Sequence, residues 1–440
     1  MMNTTNVKKY LFGMIMIILF IPCIQHSLHL VGEKSLRGAV NYAPDISFDK
    51  KEWFQGKYQE EKEKYLNDGF GFRSFFVRLN NQIRYSLFNK ANANGVIIGR
   101  ENYLYEENYI KAYYGQDFIG KEKIEERFNQ LKFIQDTLQK LNKSLLLVYA
   151  SGKASFFPEY IPDNLRIERK ETNYDNHIAK SLEKNLNYID FNKYFVENRS
   201  TSKYPLYPKY GIHWSEYGMS IVADSIIKYI EQWKHINMPN LVRGNIAMGQ
   251  AHGSDYDIGD GLNLMLPIGR DLLAYPDVSF EPKEDKKSIS VCVIADSYYW
   301  GLYNMGISQV FNNHEFWYYN KERHIANVKG NTMIENIDFA KELQKFDLFI
   351  ILGTEATLKE FGWGFIESCY KYFSHDQPSA TITDEAFNTK VKQLFDYILT
   401  DVKWMADIKA ISLKEGLSTD SIAMKQAQYL ISEEMKKNKN

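Results

Sequence analysis

Ile289–Trp300 reads ISVCVIADSYYW. Its apolar run, Val291 to Ala295, is short, contains β-branched residues and stops abruptly at Asp296-Ser297. That pattern predicts a strand buried on both faces. A serine at the carboxyl end of such a strand sits where open α/β sheets place their ligands. Ser297 is therefore the leading candidate nucleophile, although an Asp-Ser pair at a strand end is also ordinary loop chemistry.

Other stretches repeat the pattern. Phe128, Leu131, Ile134, Leu138 and Leu141 recur at steps of three and four, predicting an amphipathic helix over Glu126–Leu141. It runs into Leu145–Ala150, LLLVYA, a buried strand. Tyr188–Phe191, Phe316–Tyr319 and Asp347–Leu352 read as further short strands, and Gly95–Tyr105 as a hairpin. Helices alternating with buried strands predict an α/β architecture with a largely parallel sheet. Three strand ends carry polar groups: Lys153 after the second strand, Asp190 in the third, and Glu355 after Gly353-Thr354. Lys153 either holds an anionic substrate group or caps local carbonyls.

A second stretch bears on chemistry. Tyr210-Gly211-Ile212-His213-Trp214 leads into Ser215, followed by Met219, Val222, Ile226 and Trp233 at helical spacing. Ser215 is a plausible N-cap, which puts His213 just outside a helix start with Trp214 beside it. A histidine held in this way can act as a general base, although most histidines are only solvent-facing or hydrogen-bonded. Asp255-Tyr256-Asp257-Ile258-Gly259-Asp260 lacks the spacing and terminal glutamate of a calcium loop and reads as a turn-rich loop.

The 440 residues include 54 basic and 55 acidic side chains, a formal net charge of −1. Such balance gives no electrostatic case for nucleic acid. The three cysteines, Cys23, Cys292 and Cys369, form no spaced pair, so neither a disulfide framework nor a zinc site follows. Lys8 and Lys9 precede the uncharged Tyr10–Ile24, the signature of a secretory signal or an uncleaved signal-anchor. No small-x-small cleavage site follows, which favours the anchor over secretion after cleavage. The positive-inside rule then puts the rest of the chain outside the cytoplasm, in the periplasm. The expected organisation is an anchor over 1–31, a linker over 32–52, an α/β catalytic domain over 53–375 and a helical segment over 384–438.

Several stretches in order resemble the SGNH-hydrolase-like domain of the alginate O-acetyltransferase family. They are NDGFGFRS (Asn67–Ser74), GVIIGRENYLY (Gly95–Tyr105), SGKASFFPEYIP (Ser151–Pro162), GIHW (Gly211–Trp214), DYDIGDGLNL (Asp255–Leu264) and IADS (Ile294–Ser297). The resemblance implies a three-layer SGNH-hydrolase-like fold with a mainly parallel sheet, with the C-terminal helices outside it. It implies that Ser297 is the acyl nucleophile and His213 of a DxHW-type motif its base. The motif's aspartate, which orients the histidine, falls on Gly211. Asp190, Glu216, Asp255 and Asp257 are the candidate replacements; failing these, the site works as a dyad or is silent. Asp296, Lys153, Trp214, Glu355 and Asp190 are candidate substrate or oxyanion contacts.

The function so implied is O-acetylation of an extracytoplasmic exopolysaccharide, with an esterase or a silent polysaccharide-binding or scaffold module as alternatives. The acceptor would be the polysaccharide. The acetyl donor would be a membrane-bound O-acyltransferase, since acetyl-CoA is cytosolic. No metal or dissociable cofactor is expected.

Overall fold

A computed structural model of the chain describes residues 4–38, 42–375, 384–415 and 418–437. Residues 1–3 of the expected anchor, 39–41 of the expected linker, and 416, 417 and 438 of the expected C-terminal segment lie outside these. The chain divides into two units, Met1–Phe373 and Ser374–Asn440.

The strands of the first unit are β1 (Val96–Ile98), β2 (Leu104–Glu106), β3 (Ser144–Ala150), β4 (Tyr188–Asp190), β5 (Leu241–Gln250) and β6 (Leu272–Phe280). They continue with β7 (Ser290–Ala295), β8 (Asn313–Tyr318), β9 (Glu322–Ile325), β10 (Thr332–Met333) and β11 (Leu348–Thr354). The helices that matter here are α1 (Thr4–Leu28), α2 (Arg73–Phe88), α3 (Lys121–Lys140), α4 (Glu216–Lys234), α5 (Tyr299–Met305) and α6 (Phe365–His375).

Seven strands form one sheet in the order β10-β9-β8-β7-β11-β3-β4. From β8 through β4 the pairing is parallel, and β9 and β10 add an antiparallel edge. The expected buried strand is β7, the middle of the seven, and it is paired on both sides. Its alternation sorts the core into two layers. Val291, Val293 and Ala295 face one cluster, together with Met219, Val222 and Ile226 of α4. Cys292 and Ile294 face the other, with Phe128, Leu131 and Ile134 of α3 and Phe365, Ile366 and Cys369 of α6. Each fully buried aliphatic side chain stabilises by about 1.5–3 kcal/mol, so helices are held on both faces of the sheet. The outcome is three layers, helix on sheet on helix.

The expected helix over Glu126–Leu141 starts earlier, at Lys121, after Gly120. The break expected at NDGFGFRS is a turn between the helix Lys57–Gly69 and α2. Arg73 beside it pairs with Asp68 at 3.1 Å. The long β5–β6 hairpin, paired from Leu241↔Phe280 to Gln250↔Leu272, was not foreseen. The β5 strand is largely solvent-facing, and Gly244 and Pro276 interrupt the pair, which masks their alternation.

In the second unit, Asp384–Thr400, Val402–Glu415 and Thr419–Lys437 are helical. They bury Val391, Ile398, Ile408, Ile422, Ala423, Ala427 and Ile431 in a small core of their own.

Candidate active site

Ser297 leaves β7 in a tight turn into α5, with the Tyr299 N–H on the Asp296 carbonyl (3.3 Å) and the Trp300 N–H on the Ser297 carbonyl (3.2 Å). The Asp296 carboxylate clamps this turn to the end of β11. It accepts from the Thr354 N–H (2.9 Å), the Thr354 hydroxyl (3.0 Å), the Thr357 hydroxyl (2.8 Å) and the Tyr298 N–H (3.0 Å). Burial pushes its pKa up, and these donors oppose the shift. Asp296 is thus occupied within the protein and turned away from any ligand. Gly301 lets α5 approach α4, since a Cβ there would lie 1.8 Å from the Met219 sulfur.

His213 stands two residues before the Ser215 N-cap, whose hydroxyl accepts from the Gly218 N–H (3.0 Å), as the sequence predicts. Its Nε2 lies 3.0 Å from Ser297 Oγ and its Nδ1 2.6 Å from Asp257 Oδ2. An ionised carboxylate only accepts, so Nδ1 carries a proton and the neutral ring turns the Nε2 lone pair to the serine. The other Asp257 oxygen, Oδ1, accepts from the backbone N–H groups of Ile212 (3.0 Å) and Ile258 (2.7 Å). Burial lowers the His213 pKa, but the hydrogen bond and charge of Asp257 outweigh it, and the net shift is upward. Glu106, at the end of β2, is also close enough to act electrostatically. Its own pKa is raised by burial and then by the Asp257 charge.

The place of the expected aspartate is explained by packing. A Cβ on Gly211 would lie 2.7 Å from the Ser254 carbonyl oxygen and 2.8 Å from the carbonyl carbon and oxygen of Asp255. The loop that delivers Asp257 thus lies where a side chain at 211 would be, and the Gly259 N–H bonds the Tyr210 carbonyl (2.9 Å) to keep it there. Gly211→Ala is expected to push this loop out, costing about 1–3 kcal/mol of stability. A lowered melting temperature together with slower turnover would be the readout; an unchanged protein would mean that the loop yields freely.

Of the four acids considered, only Asp257 reaches His213. Asp190 caps the following helix through the Lys193 N–H (2.9 Å) and accepts from the Tyr174 hydroxyl (2.9 Å). Asp255 is buried under the loop, its pKa raised to about 7 by burial and then by the Glu216 charge. Glu216 lines the cavity described below.

Other strand-end candidates lie near the site but face inward. The Lys153 ammonium is fully buried and donates to the carbonyls of Lys209 (2.8 Å) and Gly211, so it braces the backbone before His213. Burial lowers its pKa to about 7. Trp214 is also fully buried, packed on Phe195 and Tyr298. Glu355 is buried, accepts from the Ser155 hydroxyl (2.8 Å) and has its pKa raised by burial to about 7. None of Lys153, Trp214, Glu355, Asp190 and Asp296 lines the cavity that holds Ser297.

Tyrosines were not foreseen as site residues. The Tyr298 hydroxyl donates to the Ile212 carbonyl (2.5 Å), tying the serine turn to the histidine loop. Tyr319 leaves β8 in a left-handed conformation (φ 49°), and its N–H bonds the Ala295 carbonyl (2.8 Å). Burial raises the Tyr319 pKa, while hydrogen bonds from the Ser297 side chain and N–H pull it back. The signal in the sequence was its position at a strand's carboxyl end.

Ser297 and His213 open onto a cavity of about 500 Å³, walled by Glu216, Trp300, Asn304 and Met305, and by Pro276 and Val278 of β6. That volume is in the range of small-ligand sites. Serine, imidazole and carboxylate in hydrogen-bonded series at such a mouth are the parts of nucleophilic acyl chemistry.

Residues 96–247 match the family model described as the SGNH hydrolase-like domain of acetyltransferase AlgX. The match includes His213 and ends before Asp257 and Ser297. Among solved structures the chain is similar to the O-acetyltransferase domain of Pseudomonas putida AlgJ: 16% identity, TM-score 0.41, 63% of this chain and 99% of that one. Another is Pseudomonas aeruginosa AlgX, at 12% identity and TM-score 0.41 over 62% of this chain and 67% of that one. A third is Bacillus cereus PatB1 with a sulfonyl adduct, at 11% identity and TM-score 0.41 over 61% of this chain and 99% of that one. No curated protein matches the chain. The matched family and the layered parallel sheet agree on an SGNH-hydrolase-like fold.

Proposed function

We infer that the chain is an O-acetyltransferase that moves an acetyl group to a hydroxyl of an extracytoplasmic polysaccharide through an acyl-Ser297 intermediate. One observation carries this reading: Ser297, His213 and Asp257 are in hydrogen-bonded series at the cavity. Asp257 supplies the carboxylate whose absence at Gly211 had favoured a silent module. The matched family model, described as an acetyltransferase domain, supports the reaction class.

In the first half-reaction Ser297 Oγ attacks the donor's acyl carbon while its proton passes to His213 Nε2. The tetrahedral intermediate collapses, and the departing oxygen takes that proton from the imidazolium. In the second half a sugar hydroxyl gives its proton to Nε2 and attacks the acyl carbon, and Ser297 Oγ leaves and is reprotonated. Asp257 holds the ring and stabilises the imidazolium in both halves. We assign the developing oxyanion to the Ser297 N–H and to Tyr319, whose titration Ser297 influences. Tyr319→Phe should accordingly lower kcat on the order of 10²-fold with little change in KM; a KM effect alone would assign Tyr319 to binding.

Trp300, Asn304 and Glu216 give the cavity an aromatic face and polar groups suited to a sugar ring. The apolar Asn6–Leu28 is long enough to cross a membrane and fits a signal-anchor or signal peptide. With the positive-inside rule it supports a periplasmic site, and a membrane-bound O-acyltransferase as donor partner.

The test is to give the full chain a chromogenic acetyl ester with and without an oligosaccharide acceptor. An acetylated oligosaccharide is the expected result. Acetate release unaffected by acceptor would make the protein an esterase, and no turnover with no acyl-serine would leave a binding module.

A further inference from the structure

The helix α2 is built inside out. Three of its polar residues face the protein: the Asn81 amide donates to the Leu262 carbonyl (2.9 Å), the Gln82 side chain accepts from the Leu266 N–H (3.0 Å), and Arg78 donates to the Ser35 carbonyl (2.8 Å). Most of its apolar residues face outward. Phe75, Phe76, Leu79, Ile83 and Leu87 fall on one stripe at helical spacing, with Phe88 at the end, and all are exposed, from 38% at Leu79 to 73% at Leu87. A surface helix of a water-soluble domain has the opposite polarity. The stripe is contiguous, unlike scattered surface hydrophobics, and so marks a contact surface.

What covers it follows from its neighbour. The turn that starts α2 sits on the last turns of the apolar helix α1. A Cβ on Gly71 would lie 2.1 Å from the Pro22 carbonyl oxygen, and His26 Nδ1 is 2.5 Å from the Gly69 carbonyl. The chain leaving α1 then runs back along α2, with Glu33 accepting from the Phe72 N–H (2.7 Å) and the Ser74 hydroxyl (2.8 Å). If α1 crosses a bilayer, these contacts hold the start of α2 at the level where the span emerges. The sequence of α2, RSFFVRLNNQIRYSLF, carries three arginines and no acid, and Arg84 is exposed. A cationic helix with an apolar face at a membrane exit has the chemistry of an interfacial helix.

We propose that α2 lies in the outer headgroup region of the membrane that α1 spans, its Phe75–Leu87 stripe in the acyl boundary and Arg84 among lipid phosphates. The proposal rests on the anchor reading of α1. Because α2 is bonded to Leu262, Asn263 and Leu266, just after the Asp257 loop, it also sets the active site at a fixed height above the bilayer, within reach of a membrane-held acyl donor.

The full chain, with Cys23→Ser and either Leu79→Cys or Leu87→Cys, is labelled with an environment-sensitive fluorophore and reconstituted in vesicles of phosphatidylethanolamine and phosphatidylglycerol. Cys292 and Cys369 are buried and stay unlabelled. Both probes should be shielded from aqueous iodide several-fold relative to one at Lys140→Cys on α3, and quenched by shallow nitroxide lipids. Iodide access equal to the Lys140 control overturns the proposal, as does shielding without lipid quenching, which would assign the stripe to a second copy of the chain. Flotation of the same vesicles separates the two premises. A chain that fails to float refutes the anchor, whereas a floating chain with wet probes refutes only the interfacial helix.

Discussion

Ser297→Ala should lower turnover of an acetyl ester on the order of 10⁴-fold or more and leave no acetyl adduct on the chain. The size of the effect follows from the order of events: without Oγ there is no first half-reaction, so neither acceptor nor water has an acyl-enzyme to attack. Little else should change. The strand before the serine is buried on both faces and paired on both sides, and Asp296 keeps its four donors whatever stands at 297. The variant should therefore melt with the wild type, and intact-mass spectrometry after incubation with an activated acetyl ester should find the +acetyl species only in the wild type. An adduct that persists in Ser297→Ala, or turnover within a few-fold of wild type, would place the nucleophile elsewhere.

The serine was legible because its signals are local. A buried five-residue run ending in a polar pair needs no knowledge of the rest of the chain, and strand-end geometry then puts the side chain at the ligand edge of the sheet. His213 was legible for a similar reason, through the N-cap at Ser215. The same rule also picked Lys153, Asp190 and Glu355, which do lie at strand ends but turn to carbonyls, an N-cap and the Ser155 hydroxyl. Side-chain direction beyond a strand depends on which backbone groups are left unpaired there, and that is a tertiary property.

Asp257 was one of four acids with nothing local to separate it. It lies 44 residues from His213 in sequence, and what selects it is the docking of its loop onto Gly211. The glycine was read as a missing acid, and it is also the space that the replacement's loop occupies. Tyr319 is a comparable case. The strand was foreseen, but its last residue turns left-handed towards Ser297, and no periodicity reports that.

Asp257→Asn should cost on the order of 10³–10⁴-fold in kcat, and the hydrogen bonds give the reason. One oxygen of residue 257 accepts from the Ile212 and Ile258 N–H groups. An asparagine must keep its single oxygen there, because its amide nitrogen would otherwise face two donors. The NH₂ group then points at His213 Nδ1 and donates to it, which forces the imidazole proton onto Nε2, where it faces Ser297 and cannot receive the serine's proton. The change should also move the pH profile. His213 works when neutral, so activity falls below its pKa. With Asp257 in place that pKa is above the ordinary histidine value, because the carboxylate's hydrogen bond and charge outweigh burial. Removing the charge leaves burial opposed only by the more weakly acting Asp296 and Glu106 charges, so the acidic limb of kcat/KM should shift to lower pH while the plateau drops. A merely structural role for Asp257 would lower the plateau and leave the limb where it was. An unshifted limb with near-normal rate would instead make Glu106, a further acid acting on the imidazole, the residue to replace next.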